Sequence, residues 1–198
     1  MIASIPAVVR IICVDPHPVV CAGLSHLARG VAELDFIGTA RSAEDGLKLV
    51  KASHPDLVLM DPELLGAEGF ALCRRIKATT PSVRVVFYTA ATDVSGFAVQ
   101  ARVAGADGML DKTAPTDELF RTLRSVARGE SALPPLDPAE LEAAAHRVEP
   151  ADLALLAMLA DRTSPADVAD TLHLDRRGLA RRVERMLPRL RGLRPHAT

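Results

Sequence analysis

Four polar side chains that lie far apart along the chain each come at or just after the end of a short apolar run: Asp15, Asp61, Thr89 and Lys112. Alone, each of them would be an ordinary loop residue. Together, two carboxylates, a hydroxyl and an ammonium could bind a polar or charged ligand, as open α/β sheets do at the edge where their strands end. They can act in this way only if the fold brings them to one place.

The elements that position these residues are predicted from the hydrophobic pattern. Short apolar runs typical of strands occur at 9–14, 36–39, 57–60, 83–88 and 108–110. Segments with helical spacing separate them, for example 43–51 and 119–127. This alternation predicts an α/β fold, a doubly wound parallel sheet that is covered on both faces. Right-handed crossovers place the carboxyl ends of the strands at one edge, so the four side chains are expected to converge there.

The alternation stops near Gly129. The segment 131–138, SALPPLDP, is rich in proline and predicts a semi-stiff connector. Three leucines after it share one face of a first helix, Leu153, Leu156 and Leu159. Ser164 and Asp175 are of the residue types that cap helices, so a second and a third helix are expected to begin after them.

Composition and charge limit the class of protein. Of the 198 residues, 48% are hydrophobic and the net charge is −1, values that indicate a folded chain and exclude a disordered one. The charge is uneven, because residues 176–194 hold eight arginines and one acid, Glu184. Such a basic end suggests a polyanionic partner.

The cysteines and the apolar runs bear on the compartment. Cys13, Cys21 and Cys73 are odd in number and form no CxxC pair, so they are expected to be buried thiols without a disulfide. No apolar run has the length of a membrane span, and the first residues lack the pattern of a signal peptide. The sequence therefore predicts a cytoplasmic protein that has no membrane partner.

Five segments resemble, in order and spacing, the receiver domain of response regulators. They are VRIICVDPHPVV (9–20), LVLMD (57–61), FYTA (87–90), AGADGML (104–110) and DK (111–112). The tail from Val148 to Gly192 resembles a LuxR-type helix-turn-helix, so residues 9–192 resemble the NarL/FixJ class of response regulators. The resemblance implies a flavodoxin-like five-stranded receiver at 9–129, a linker at 130–147 and a small all-α helix-turn-helix domain at 148–198.

The resemblance also implies a role for each strand-end residue. Asp61 would accept a phosphoryl group from a histidine kinase, because a carboxylate is a competent nucleophile for this transfer. Asp15, Asp61 and the backbone carbonyl of Glu63 would be ligands of Mg²⁺. Lys112 would supply positive charge to the phosphoryl oxygens, and the Thr89 hydroxyl would donate a hydrogen bond to them.

Three features depart from the receiver pattern, one of them Leu64-Leu65 in place of the family's Met-Pro after Asp61. Receivers carry two consecutive acids after the first strand, whereas Pro16 follows Asp15 here, so one carboxylate ligand of Mg²⁺ is missing. Met109 stands where an aromatic residue normally moves with phosphorylation, and a thioether cannot reproduce that packing. His17 is expected to pack in its loop and not to bind a metal. Two hypotheses follow: a receiver phosphorylated at Asp61, or an atypical receiver that works without phosphate through dimerisation or ligand binding.

The helix from Arg176 to about Leu187 would be the recognition helix, which enters the major groove in helix-turn-helix proteins. Five apolar residues fall on one arc and are expected to face the core: Leu179, Val183, Met186, Leu187 and Leu190. Arg177, Arg181 and Arg185 point the opposite way, as suits contacts to guanine and phosphate. Arg176 and Arg182 lie on the flanks, where they would meet phosphates. A plain solvated helix shows the same row, and the upstream segments favour DNA binding over that alternative.

The sequence thus predicts a DNA-binding transcriptional regulator of a two-component system, with no enzymatic turnover. It would act as a homodimer on double-stranded DNA, since one such helix contacts few base pairs, and a histidine kinase would be its partner. Two alternatives remain: an adaptor that binds a protein partner through a tail without DNA affinity, and a phosphatase in which Asp61 is the nucleophile.

Overall fold

The computed structural model describes residues 8–64, 68–90 and 97–190, so the end of the predicted DNA-binding domain, 191–198, lies outside the described residues. Within these ranges the chain forms five strands: β1 Val9–Val14, β2 Leu34–Ala40, β3 Leu57–Met60, β4 Arg84–Thr89 and β5 Gly108–Asp111. All neighbouring strands are parallel, in the order β2-β1-β3-β4-β5. This is the flavodoxin-like order, and the predicted fold class is confirmed.

Five helices cover the sheet: α1 Pro18–Ala28, α2 Ala43–Ser53, α3 Gly69–Thr79, α4 Ala98–Ala104 and α5 Thr116–Ala127. The pattern of apolar residues divides them between the two faces. Buried residues of α1 and α5 pack on one face of the sheet, and those of α2, α3 and α4 pack on the other. Because both faces are covered, the strand interiors are almost wholly apolar, which explains the uninterrupted apolar runs in the sequence.

The rest of the described chain, here called the effector segment (residues 138–190), is helical. It contains α6 Pro138–Ala145, α7 Leu153–Ala160, α8 Pro165–Thr171 and α9 Arg176–Met186, followed by a 3₁₀ turn at Leu187–Leu190. The predicted caps are confirmed: the Ser164 hydroxyl accepts from the Asp167 N–H at 3.2 Å, and the Asp175 carboxylate accepts from the Gly178 N–H at 2.6 Å. A Cβ atom at Gly178 would lie 2.9 Å from that Asp175 oxygen, so the glycine allows the cap to approach closely.

The face shared by the three leucines of α7 is only partly buried. Leu153 is 41% exposed, and Leu155 is buried in its place beside Leu156 and Leu159. Leu153 is the first residue of α7 and lies at the margin of the buried arc, whereas the helical repeat places Leu155 within it.

The predicted connector is more structured than its prolines suggest. Its Ala132 exchanges backbone hydrogen bonds with the last strand, accepting from the Met109 N–H at 3.1 Å and donating to the Asp107 carbonyl at 2.9 Å. Its second half forms α6, which packs against α4 and α7. The division into 9–129, 130–147 and 148–198 stays a prediction, because the connector packs with both sides.

Helix α4 joins the receiver to the effector segment. Six of its seven residues are buried, and it packs against α6, α7 and the final 3₁₀ turn. Gln100 Nε2 donates to the Leu190 carbonyl at 2.5 Å, the Val99 N–H to Glu140 Oε1 at 3.1 Å, and an Arg102 guanidinium nitrogen to the Ala160 carbonyl at 3.5 Å. A second Arg102 nitrogen donates to the Pro134 carbonyl of the connector at 2.8 Å. One apolar core therefore runs from the sheet into the effector segment.

The cysteines differ from expectation. Cys13 in β1 and Cys21 in α1 form a disulfide with their Cα atoms 5.7 Å apart, whereas Cys73 is a free buried thiol as predicted. The prediction failed because the strand and the following helix pack side by side, which brings together two cysteines that are eight residues apart in the sequence. Among the described residues, no helix has the length and apolar character needed to cross a membrane. The cytoplasmic location stays a prediction.

Candidate functional site

The two aspartates lie side by side at the carboxyl edge of the sheet. Asp15 and Asp61 follow the neighbouring strands β1 and β3, and the Asp61 N–H donates to the Val14 carbonyl at 2.9 Å. Their residues are only 2% and 6% exposed. Lys112 Nζ lies 2.6 Å from Oδ2 of each aspartate. Buried carboxylates need such a partner, because an unpaired buried charge is costly.

Lys112 is held at the site by its own environment. Burial alone would lower the pKa of its ammonium, but the hydrogen bonds to Asp15 and Asp61 raise that pKa above its ordinary value. Its backbone N–H donates to the Thr89 carbonyl at 2.7 Å, and its carbonyl accepts from the Tyr88 hydroxyl at 3.3 Å. Thr89 is fully buried at the end of β4. The fold therefore brings these strand-end groups to one edge, with a charged lysine between the two carboxylates.

The loop after β3 is packed against the site through a glycine. The Glu63 N–H donates to Asp61 Oδ1 at 2.7 Å, while the Glu63 side chain is exposed. At Gly69, the first residue of α3, a Cβ atom would lie 2.5 Å from the Asp61 carbonyl oxygen and 2.6 Å from the Pro62 Cα. Real Cβ atoms do not approach this closely, so only glycine allows α3 to start against the loop. The sequence offered no signal for this role beyond the glycine itself.

The candidate metal ligands of this chain are not the two consecutive acids of the receiver pattern. Within the described residues, Asp15, His17 and Asp61 offer ligand atoms that all lie within 4.8 Å of one another. The His17 N–H donates to Asp15 Oδ1 at 2.8 Å, and its Nδ1 lies 3.2 Å from the same oxygen. These residues fit a divalent cation, with an imidazole nitrogen available where Pro16 contributes no carboxylate. The His17 side chain is 69% exposed, so it does not pack in its loop as predicted, and its place in this cluster was missed.

Met109 is buried in the core that contains α4 and lies opposite Phe87 in the register of β4 and β5. It is 5% exposed. The position is therefore occupied by a flexible apolar side chain within the core that continues into the effector segment.

Helix α9 has two different faces. The five residues predicted to face the core are all buried: Leu179, Val183, Met186, Leu187 and Leu190. Arg176, Arg177, Arg181 and Arg185 are exposed. Arg182 differs, because its Nε donates to Asp152 Oδ1 at 2.6 Å and its guanidinium also donates to the Ala151 carbonyl. Asp152 is 3% exposed, so Arg182 is engaged within the protein and fastens α9 to the turn before α7.

Comparison with known proteins bears on the family. The family model described as the response regulator receiver domain matches residues 11–124. The DNA-binding transcriptional activator DevR/DosR of Mycobacterium tuberculosis is 34% identical over 125 residues, which are 63% of this chain and 57% of that protein. The transcriptional activator protein ExaE of Pseudomonas putida is 36% identical over 122 residues, 61% of this chain and 56% of ExaE. The matches thus span less than two thirds of the length of these relatives.

Solved structures extend the likeness. A LuxR-family two-component response regulator from Aurantimonas sp. SI85-9A1 is 30% identical with a TM-score of 0.60, covering 65% of this chain and 91% of that one. A structure of RcsB from Salmonella typhimurium, 15% identical with a TM-score of 0.60, covers 93% of each chain and shows that the fold likeness includes the effector segment. Since the family model matches more than half of its length, and its strand-end aspartates and lysine meet at one edge, the chain belongs to the response regulator receiver family.

Proposed function

We propose that the chain is a transcription regulator that binds double-stranded DNA through the helix-turn-helix formed by α8 and α9. The observation that carries this proposal is the exposed arginine row of α9, Arg177, Arg181 and Arg185, opposite a fully buried apolar face. Such a helix can enter the major groove and contact guanine and phosphate. DevR/DosR is named as DNA-binding, and one RcsB structure is described as bound to promoter rprA, which supports the same role here.

The docked effector segment leaves this row accessible. The three arginines are exposed while α4 is covered by α6, α7 and the final 3₁₀ turn. DNA binding in this arrangement therefore requires no separation of the effector segment from α4. Because one such helix contacts few base pairs, the chain would act as a homodimer on a two-fold related site.

The test is binding of the full chain to duplex DNA selected from a random library, followed by fluorescence anisotropy over a range of salt. Affinity should fall with salt, as expected when arginines release counterions from phosphates. Arg181→Ala should cost about 1–3 kcal/mol of specific binding. Arg189→Ala is the matched control, because Arg189 is paired with Glu149 at 2.5 Å and should lose less. Equal losses, or none, would contradict the groove assignment, and salt-insensitive or absent DNA binding would favour an adaptor.

For the receiver, we propose Asp61 as the phosphoacceptor. An Asp61 oxygen would attack the phosphorus of a phosphohistidine in a kinase, forming an O–P bond as the P–N bond breaks. The Lys112 ammonium would pair with the phosphoryl oxygens, and the Thr89 hydroxyl would donate to them. Asp15, Asp61 and the Glu63 carbonyl would hold Mg²⁺, which when bound supplies further positive charge to those oxygens.

A specific observation favours a second candidate, a receiver that works without phosphate. The Lys112 ammonium already pairs with both carboxylates, so Mg²⁺ would have to displace it. Pro16 provides no additional oxygen ligand that would favour this displacement. The buried α4 also leaves little room for a phosphate-driven shift of that helix.

Intact-protein mass after incubation with Mg²⁺ and acetyl phosphate distinguishes the two candidates, with Asp61→Asn as control. An adduct on the wild type alone supports phosphorylation at Asp61. No adduct over a wide range of Mg²⁺ supports the phosphate-independent receiver. Sustained hydrolysis of a small phosphate ester that is lost in Asp61→Asn would instead support the phosphatase alternative.

A further inference from the structure

A cavity lies between the receiver and the effector segment, on the side of α3 and α4. Its volume is about 230 Å³, and a second cavity of about 420 Å³ lies nearby and shares Arg74 and Lys77 with it. Asp107, which precedes β5, also lines the first cavity. The cavity therefore lies toward the amino ends of the strands, the edge of the sheet opposite Asp61.

Positive charge dominates the lining of the first cavity. Four basic residues contribute to it: Arg74 and Lys77 of α3, Arg102 of α4, and Arg162 of the turn after α7. Among the described residues that line it, Asp107 is the acid, and its carboxylate is already engaged. It accepts from Lys77 Nζ at 2.5 Å, from Arg84 at 3.0 Å and from the Val85 N–H at 2.8 Å. The three arginines of the lining are therefore left without a carboxylate within it.

Two of these guanidinium groups are under-satisfied. The Nε atoms of Arg74 and Arg102 are both buried, and neither has a hydrogen-bond partner among the described residues. Burial lowers the pKa of both side chains, and the neighbouring Arg162 lowers that of Arg102 further. The charges of Asp161 and Glu140 raise the pKa of Arg102, and that of Glu184 raises the pKa of Arg74, but burial outweighs them. Buried polar groups normally find partners, so each of these groups calls for one.

We propose that this cavity binds a small anionic molecule that carries a carboxylate or phosphate group next to an apolar portion. Arginine is suited to such groups because its guanidinium pairs with their oxygens through two parallel hydrogen bonds. Val103, Leu159 and Leu179 in the lining would contact the apolar portion. Arg74 and Arg102 come from the receiver and Arg162 from the effector segment. A ligand held by both sides would stabilise their docked arrangement by mass action.

The test is calorimetric titration of the full chain, in buffer without Mg²⁺, with three probes: inorganic phosphate, pyrophosphate and benzoate. At least one should bind with saturation, and Arg74→Gln and Arg162→Gln should each weaken that binding about 5–10-fold. Arg75→Gln is the matched control, since Arg75 is the exposed neighbour on α3 and does not line this cavity. Arg102 is left unchanged, because it holds the Pro134 carbonyl.

Each outcome bears on the proposal. Phosphate or pyrophosphate binding that exceeds benzoate binding identifies a phosphate-type ligand, and the reverse identifies a carboxylate. Equal weakening by Arg74→Gln and Arg75→Gln would show unspecific surface attraction and overturn the proposal. Binding lost in Lys112→Gln but kept in the two cavity variants would place the anion beside Lys112 and Asp61, and would overturn the proposal. The absence of saturable binding of any probe at roughly 10 mM would also overturn the proposal.

Discussion

Arg182→Ala should destabilise the effector segment, unlike replacement of its exposed neighbour Arg181. A guanidinium nitrogen of Arg182 lies 2.6 Å from Oδ1 of Asp152, and Asp152 is 3% exposed. Removing one partner of a buried ion pair costs about 3–5 kcal/mol, because the other charge stays buried alone. The Arg182 side chain keeps 20% of its surface exposed, so water can reach the gap and the lower value, about 3 kcal/mol, is expected. In a chain of this size that corresponds to a fall in Tm of about 6–12 °C.

Thermal and urea unfolding of Arg182→Ala, Asp152→Ala and the double variant measure this directly. The double variant should lose less stability than the two single losses added together, since removing Asp152 also removes the unpaired carboxylate. Arg181→Ala is the matched control and should stay within about 0.5 kcal/mol of the wild type while losing DNA affinity. If Arg182→Ala unfolds like the wild type but loses DNA affinity as Arg181→Ala does, then Arg182 contacts DNA and its ion pair with Asp152 does not stabilise the effector segment.

Three further changes test other parts of the structure. Gly69→Ala should cost about 1–3 kcal/mol in urea unfolding and slow acetyl-phosphate labelling of Asp61, because the new Cβ meets the backbone of the loop. Gly23→Ala is the control and should be neutral or slightly stabilising, because a Cβ atom there would have nothing within 4 Å. Equal effects of the two substitutions would contradict the contact between Gly69 and the loop. Burial raises the pKa of the Cys73 thiol from 9.0 to about 12, so its contribution to stability is complete below pH 9 and is lost as the pH rises toward 12. Relative to Cys73→Ala, the wild type should lose about 1.4 kcal/mol per pH unit above pH 9 in urea unfolding, and parallel curves would refute the shift. Gln100→Leu should lower the free energy of unfolding by about 1 kcal/mol and increase proteolytic cleavage between the receiver and the effector segment, because it removes a buried hydrogen bond to the final 3₁₀ turn. Unchanged cleavage would show that this hydrogen bond does not hold the receiver and the effector segment together.

The receiver fold and the meeting of Asp15, Asp61 and Lys112 could be predicted because they depend on local pattern and topology. Apolar runs that alternate with helical spacing admit few arrangements, and parallel strands end at a common edge. The buried face of α9 could be predicted for the same reason, since the helical repeat alone places Leu179 and Val183 on one side.

The remaining features depend on distances between elements, which periodicity does not contain. The helical repeat places Arg182 on a flank, but only packing of α9 against the turn before α7 brings it to Asp152. Gly69 is required by the approach of a helix to a loop. The cavity between the receiver and the effector segment is lined by Arg74 and Arg162, which are far apart in the sequence. An acid in an otherwise apolar stretch, such as Asp152, is the one signal that could have revealed a buried partner.

The burial of α4 has a consequence for how such a chain could recombine with others. In regulators built from loosely tethered modules, one output domain can be exchanged for another by joining genes at the linker. Here six of the seven residues of α4 are buried, partly beneath the effector segment. Gln100 of α4 also donates a hydrogen bond to the Leu190 carbonyl in the final 3₁₀ turn of that segment. A new output domain would have to reproduce that complementary surface. The two segments are therefore expected to be inherited and to diverge together, with changes on α4 answered by changes in α7 and the final turn.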